Sequence, residues 1–176
     1  MTCRKNQSLT LSLLPCLPQP HLLALLCLGE IGRRTDLSSH TTIQSVLMAS
    51  FHSPSDEIKA AAAYALGSVA FGNLATYLPF ILSKIGAQPK LQYLLLHSLK
   101  EVITRQSLEA AQHAEFSPSD IAQILSLLFL HCESGEEGVR NVVAECLGKF
   151  SKHCVLFCRF IFLYNIFTSK YVAFLV

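Results

Sequence analysis

Glu57-Ile58-Lys59-Ala60-Ala61-Ala62-Ala63-Tyr64-Ala65-Leu66-Gly67 and Gly138-Val139-Arg140-Asn141-Val142-Val143-Ala144-Glu145-Cys146-Leu147-Gly148 are two renderings of one pattern, in register when Ile58 is set on Val139. Each puts an apolar residue before a cation, continues through small and apolar residues, and ends on Leu-Gly. Leu91 to Lys100 falls into the same register, as does the run that closes on Cys27-Leu28-Gly29. The equivalent leucines Leu28, Leu66, Leu99 and Leu147 lie 38, 33 and 48 residues apart, and the longest interval holds a polar insert from Gln112 to Ser119. Apolar residues recur at helical spacing, and neither sustained period-two alternation nor an Asn-Gly or Asp-Gly hairpin signal interrupts them.

Working outward from these copies, the chain alternates helix and turn. A helix from about His21 to Arg33 presents Leu22, Leu25, Leu26 and Leu28, and a second, beginning near Ser39, presents Ile43, Val46, Leu47 and Phe51. Ser53 as N-cap, Pro54 at the first helical position and Asp56 and Glu57 in the first turn read as a helix start, and Ser117, Pro118 and Asp120 repeat that signal. Asn73 caps a helix carrying Leu74, Tyr77, Leu78, Ile81, Leu82 and Ile85, which Pro79 is expected to kink and Gly86 to end. Pro89 opens another, with Leu91, Leu94, Leu95, Leu99, Val102 and Ile103. A helical pair repeated at about 40 residues is the signature of the HEAT/armadillo class. The expected fold is therefore all-α, a right-handed α-solenoid of about three and a half helical pairs. Its scaffold repeat positions are Leu28, Gly29, Lys59, Leu66, Gly67, Leu99, Arg140, Leu147 and Gly148. Lys59 and Arg140 are each expected to pair with an acid one turn earlier, Asp56 and Glu137. Ala61 to Ala63 and Gly67 are expected to let the two helices of a pair approach closely.

Composition agrees with one helical core. The 176 residues carry a net charge of +2, are 51% hydrophobic and only 15% charged. The mean hydropathy is positive at +0.41, but before residue 153 polar residues interrupt the apolar ones at helical spacing, so they read as core-facing stripes. Scattered Lys and Arg form no continuous basic stripe, and nucleic acid is not an expected partner. Seven cysteines show no paired spacing, and Cys27, Cys132 and Cys146 fall in or beside apolar stripes, as buried free thiols do. A reducing compartment follows. Three segments result: a Pro-rich lead over residues 1–20, the repeat array over 21–153, and an apolar, aromatic tail over 154–176. Arg4 and Lys5 precede an apolar run too short and too soon followed by Pro15, Pro18 and Pro20 to serve as a secretion signal. The tail holds no acidic residue, and Arg159, Asn165 and Lys170 interrupt its apolar run.

Candidate chemistry is sparse. The adjacent carboxylates Asp56-Glu57 and Glu136-Glu137 stand at helix starts, where the dipole accounts for them. Gly67 and Gly72 follow no strand and precede no P-loop lysine. Cys146, His153, Cys154 and Cys158 lack the second knuckle of a zinc site, and His97 and His131 read as packed or capping residues. No catalytic residue, cofactor or metal is expected, and the chain reads as a binding protein rather than an enzyme.

The stretches Leu25-Leu26-Cys27-Leu28-Gly29-Glu30-Ile31-Gly32, Ala63-Tyr64-Ala65-Leu66-Gly67, Gln92 to Val102 and Glu136 to Lys149 resemble the cullin-associated, neddylation-dissociated family over about residues 21–150, in a stretch of that family's C-terminal third. The resemblance implies a large cytosolic and nuclear HEAT solenoid that wraps around unneddylated cullin. There it would compete with substrate-receptor adaptors and act on the assembly of SCF and other cullin-RING ubiquitin ligase complexes. Family members are several times longer, so this chain is expected to be a truncated fragment with part of that surface, its two ends uncapped and open to self-association. Two other readings stand beside it: a helical adaptor anchored in a membrane by the tail, and a fragment with no function.

Overall fold

In a computed structural model that describes residues 20–109 and 116–153, the side chains of 151–153 excepted, seven α-helices and one 3-10 turn follow in order. They are α1 (Pro20–Arg34), α2 (Thr42–Ser50), α3 (Asp56–Gly72), α4 (Leu74–Ala87), the turn Pro89–Leu91, α5 (Gln92–Glu109), α6 (Pro118–His131) and α7 (Glu137–His153). No strand occurs among the described residues. Pro20, assigned to the lead by sequence, is the first residue of α1. The tail 154–176 and the rest of the lead lie outside the described residues.

Local chemistry sets most helix ends. Ser117 accepts from the Asp120 amide at 3.1 Å while Asp120 accepts from the Ser117 amide at 3.0 Å, a closed capping box ahead of α6. The start of α3 differs from the sequence reading by two residues. Ser55, in extended conformation, is the N-cap and accepts from the Ile58 amide, whereas the Ser53 hydroxyl accepts from the Ser55 amide and shapes the turn before it. The reading of Ser53 as the cap is thus corrected to Ser55, the serine adjacent to Asp56. Asn73 ends α3 and caps α4, accepting from the Thr76 amide at 3.0 Å. Pro79 deprives the Ala75 carbonyl of its intrahelical donor, yet α4 runs through it as one helix. The helix expected from Pro89 begins with a 3-10 turn and becomes α-helical at Gln92.

The helices form two layers. α1, α3, α5 and α7 stack side by side in an inner row; α2 packs on α3, α4 bridges α3 and α5, and α6 packs on α7. The pairs α2/α3, α4/α5 and α6/α7 with the single α1 give the expected three and a half. One core runs between the layers and includes Leu47, Leu66, Ile81, Leu95, Leu99, Ile124, Val139 and Cys146. Covered on several sides, α3 buries every residue from Ala65 to Phe71, which is why its sequence is small and apolar almost all round. Tyr77 on α4 donates to the Leu37 carbonyl at 3.1 Å and ties the loop between α1 and α2 to the second layer.

The two ends of the row differ. α1 leaves Leu23, Leu26 and Ile31 exposed at 50%, 38% and 55%. α7 exposes Asn141, Ala144, Glu145 and Gly148 and, among the described residues, no large apolar side chain. Among the described residues, large apolar side chains are thus exposed on α1 and not on α7, an amphipathic helix.

Candidate protein-binding surface

The repeat positions singled out by sequence are distributed along the inner row, one set per helix. Leu66 and Leu99 are fully buried, while Leu28 and Leu147 are half-buried and lie against the core's edge. Gly29 lies so close to α3 that a Cβ there would stand 3.1 Å from the Ala65 Cα and 3.2 Å from the Tyr64 ring. A Cβ on Gly67 would stand 2.6 Å from both the Ser98 carbonyl oxygen and the Glu101 Cβ. Gly67 therefore faces α5, the inner helix of the next pair, and not α2; the close approach it permits is between repeats rather than within one. For Gly148, the third member of this set, no described residue lies within 4 Å of an added Cβ.

Lys59 pairs with Asp56 at 2.8 Å. Arg140 does not take the analogous place beside Glu137. Its Nη1 donates to the Ser134 and Gly135 carbonyls at 2.7 and 3.1 Å and closes the turn from α6 into α7. The carbonyls of that turn offer nearer acceptors than a carboxylate free to stay in solvent.

A polar network that the sequence reading missed crosses the inner row. Glu30 on α1 accepts from the Tyr64 hydroxyl on α3 and from Arg33 Nη2 at 2.8 Å. Arg105 on α5 donates to Tyr64 Oη at 3.3 Å, to Glu101 at 2.6 Å and to Glu109 at 3.3 Å, and its guanidinium lies 5.8 Å from the Tyr64 ring centroid. The bonds from Tyr64 first and Arg33 second hold the Glu30 carboxyl below its usual range. Further along, Lys100 pairs with Glu145 at 2.9 Å, and Lys149 donates to Thr104 Oγ1 at 2.7 Å, so α5 and α7 are linked in the same way. The spacing Glu101, Arg105, Glu109 signals part of this along α5. The links between helices carry no local signal. Such a surface offers a partner a row of fixed donors, acceptors and rings; its polar groups hold one another in place.

His97 stacks edge-on against Tyr93 with ring centroids 4.6 Å apart, and Tyr93 in turn covers Gly138. Burial first, and Lys100 second, pushes the His97 imidazole below its usual pKa. Cys146 is buried, and Cys154 and Cys158, its suggested partners at a metal site, lie outside the described residues. Burial pushes the Cys146 thiol up to about 12 from an ordinary 9.0. The folded chain thus keeps a proton that the unfolded chain releases, and the stability this represents is complete below about pH 9 and lost as pH rises toward 12. Thiol labelling at neutral pH, read by peptide mass spectrometry, should modify exposed Cys27 and leave Cys146 untouched until the chain unfolds. Equal labelling of the two would contradict this burial.

No family model matches the chain. Among curated proteins it is similar to the cullin-associated NEDD8-dissociated protein 1 of Arabidopsis thaliana, 64% identical over 129 residues, which is 73% of this chain and 10% of that protein. Cullin-associated NEDD8-dissociated protein 2 of Mus musculus is 44% identical over 154 residues, 84% of this chain and 12% of its own length. In Emericella nidulans the match is to a protein described as cullin-associated NEDD8-dissociated protein 1, C-terminal part, 38% identical over 136 residues, 76% of this chain and 12% of that one. The chain spans about a tenth of the length of the curated relatives it matches.

Proposed function

From homology to the cullin-associated NEDD8-dissociated proteins over about 73% of its residues, we propose that this chain is a protein-binding helical scaffold that engages a cullin not conjugated to NEDD8. The observation that carries the reading is the 64% identity over 129 residues, supported by an inner row whose exposed polar groups are fixed in position. In this reading the chain contributes part of a surface that acts on the assembly of cullin-RING ligases, including SCF complexes. It works by binding rather than by catalysis, in the cytoplasm and nucleus. No helix among the described residues is long and apolar enough to cross a membrane, and the tail on which a membrane-anchored adaptor would depend lies outside them. Self-association is assigned to α1, where Leu23, Leu26 and Ile31 are exposed.

Size-exclusion chromatography of the full chain with a cullin-RING complex, run beside the NEDD8-conjugated form, tests the proposal. Co-elution with the unconjugated complex alone is expected. A chain that is helical by circular dichroism yet co-elutes with neither form would overturn the cullin reading. In the same column, a concentration-dependent shift of the chain by itself would report self-association.

A further inference from the structure

α1 and α5 are not neighbours in the inner row, because α3 lies between them. Their last turns meet nonetheless. Arg33 Nη1 donates to both carboxylate oxygens of Glu109 at 2.9 Å, and the two side chains are only 15% and 19% exposed. Among the described residues this is the one ion pair that joins α1 to α5. Arg33 is also held by Glu30, and Glu109 by Arg105, so both arms of the bridge are fixed at their bases.

The face of α3 between them changes along its length. Glu57, Ala60, Tyr64, Ser68 and Phe71 recur at three- and four-residue spacing and share one side of the helix. Glu57 and Ala60 are exposed, Tyr64 is half-buried, and Ser68 and Phe71 are fully buried. The same side is thus open at the start of α3 and covered at its end, where the Arg33–Glu109 bridge crosses. The backbones converge there as well: a Cβ on Gly72, the last residue of α3, would stand 1.9 Å from the Gly32 carbonyl oxygen of α1.

We propose that the Arg33–Glu109 bridge is a clasp, which holds the C-terminal ends of α1 and α5 together across the end of α3. Opening it lets the ends of α1 and α5 part and loosens the cover over Ser68 and Phe71. An ion pair in partial contact with solvent is suited to this, because salt weakens it while the apolar core beneath stays intact. The inference rests on the geometry of α1, α3 and α5 and not on the identity of any partner.

Glutamine replacements test it without adding charge: Arg33→Gln, Glu109→Gln and the double variant, in the full chain. The amides around Ser68–Gly72 are followed by hydrogen exchange, and the overall dimension by small-angle scattering. Each single variant should speed exchange there by up to about five-fold and enlarge the radius of gyration, leaving residues 57–61 unchanged. Arg33→Gln also loses the Glu30 pair and Glu109→Gln the Arg105 pair, so the double variant should exceed the larger single effect but fall short of the product of the two. Raising salt from about 0.05 to about 1 M should do the same to the unaltered chain. Single variants that exchange like the unaltered chain, effects that multiply in the double variant, or indifference to salt would each overturn the proposal.

Discussion

Leu99→Ala is expected to lower the unfolding free energy by about 2–5 kcal/mol, read as a fall in the urea midpoint. Leu99 has no exposed surface and sits where α4 and α5 close the core with Leu95, Leu96 and Ile81. Truncation there loses the transfer energy of three carbons and leaves a space that rigid helices on several sides cannot collapse into. A chain of this size has a total stability of about 5–15 kcal/mol, so the loss is a large share of it. Leu66→Ala should cost about as much, for Leu66 is equally buried. Leu28→Ala and Leu147→Ala should cost distinctly less, because both residues keep one side toward solvent. Equal effects at all four equivalent positions would mean that the array is held together differently from its geometry here.

Gly67→Leu should destabilise the chain far more than Gly148→Leu. At Gly67 even a Cβ lies 2.6 Å from the Ser98 carbonyl oxygen, a backbone atom that cannot rotate away. Accommodating leucine requires α3 and α5 to separate, at a cost of about 3 kcal/mol or more, and helix propensity recovers less than about 1 kcal/mol of it. At Gly148 no described residue stands within 4 Å of an added Cβ, and the same substitution should change stability by no more than about 1 kcal/mol. Circular dichroism during urea unfolding reads both. A Gly148→Leu variant as destabilised as Gly67→Leu would show that this side of α7 is covered.

The family, the all-helical fold and the count of helical pairs were legible in the sequence because each rests on local chemistry. The Ser117 capping box and the Asn73 cap are written within a few residues of the structures they specify. The cap of α3 was read two residues early, at Ser53, because Ser53-Pro54 presents a hydroxyl before the acidic first turn just as Ser55, the actual cap, does. Arg140 went astray for a related reason: Glu137 lies one helical turn away and looks like its partner, but the turn carbonyls that take its protons become acceptors only once the chain has reversed direction.

What the sequence by itself determined is the set of helices and their common register, through period, caps and the recurrence of the Leu-Gly pattern. What only the tertiary structure decided is how residues of equal rank in that pattern come to differ. Gly29 and Gly67 each meet a neighbouring inner helix, while no described residue stands within 4 Å of a Cβ added at Gly148; Leu66 is buried on every side and Leu147 is not. Arg33 reaches Glu109, 76 residues away, past a helix that separates their own. Repeats specify contacts inside each unit by short-range periodicity. Contacts between units depend on the angle at which helices stack, and that angle is set by the summed packing of the whole row, which no stretch of a few residues encodes.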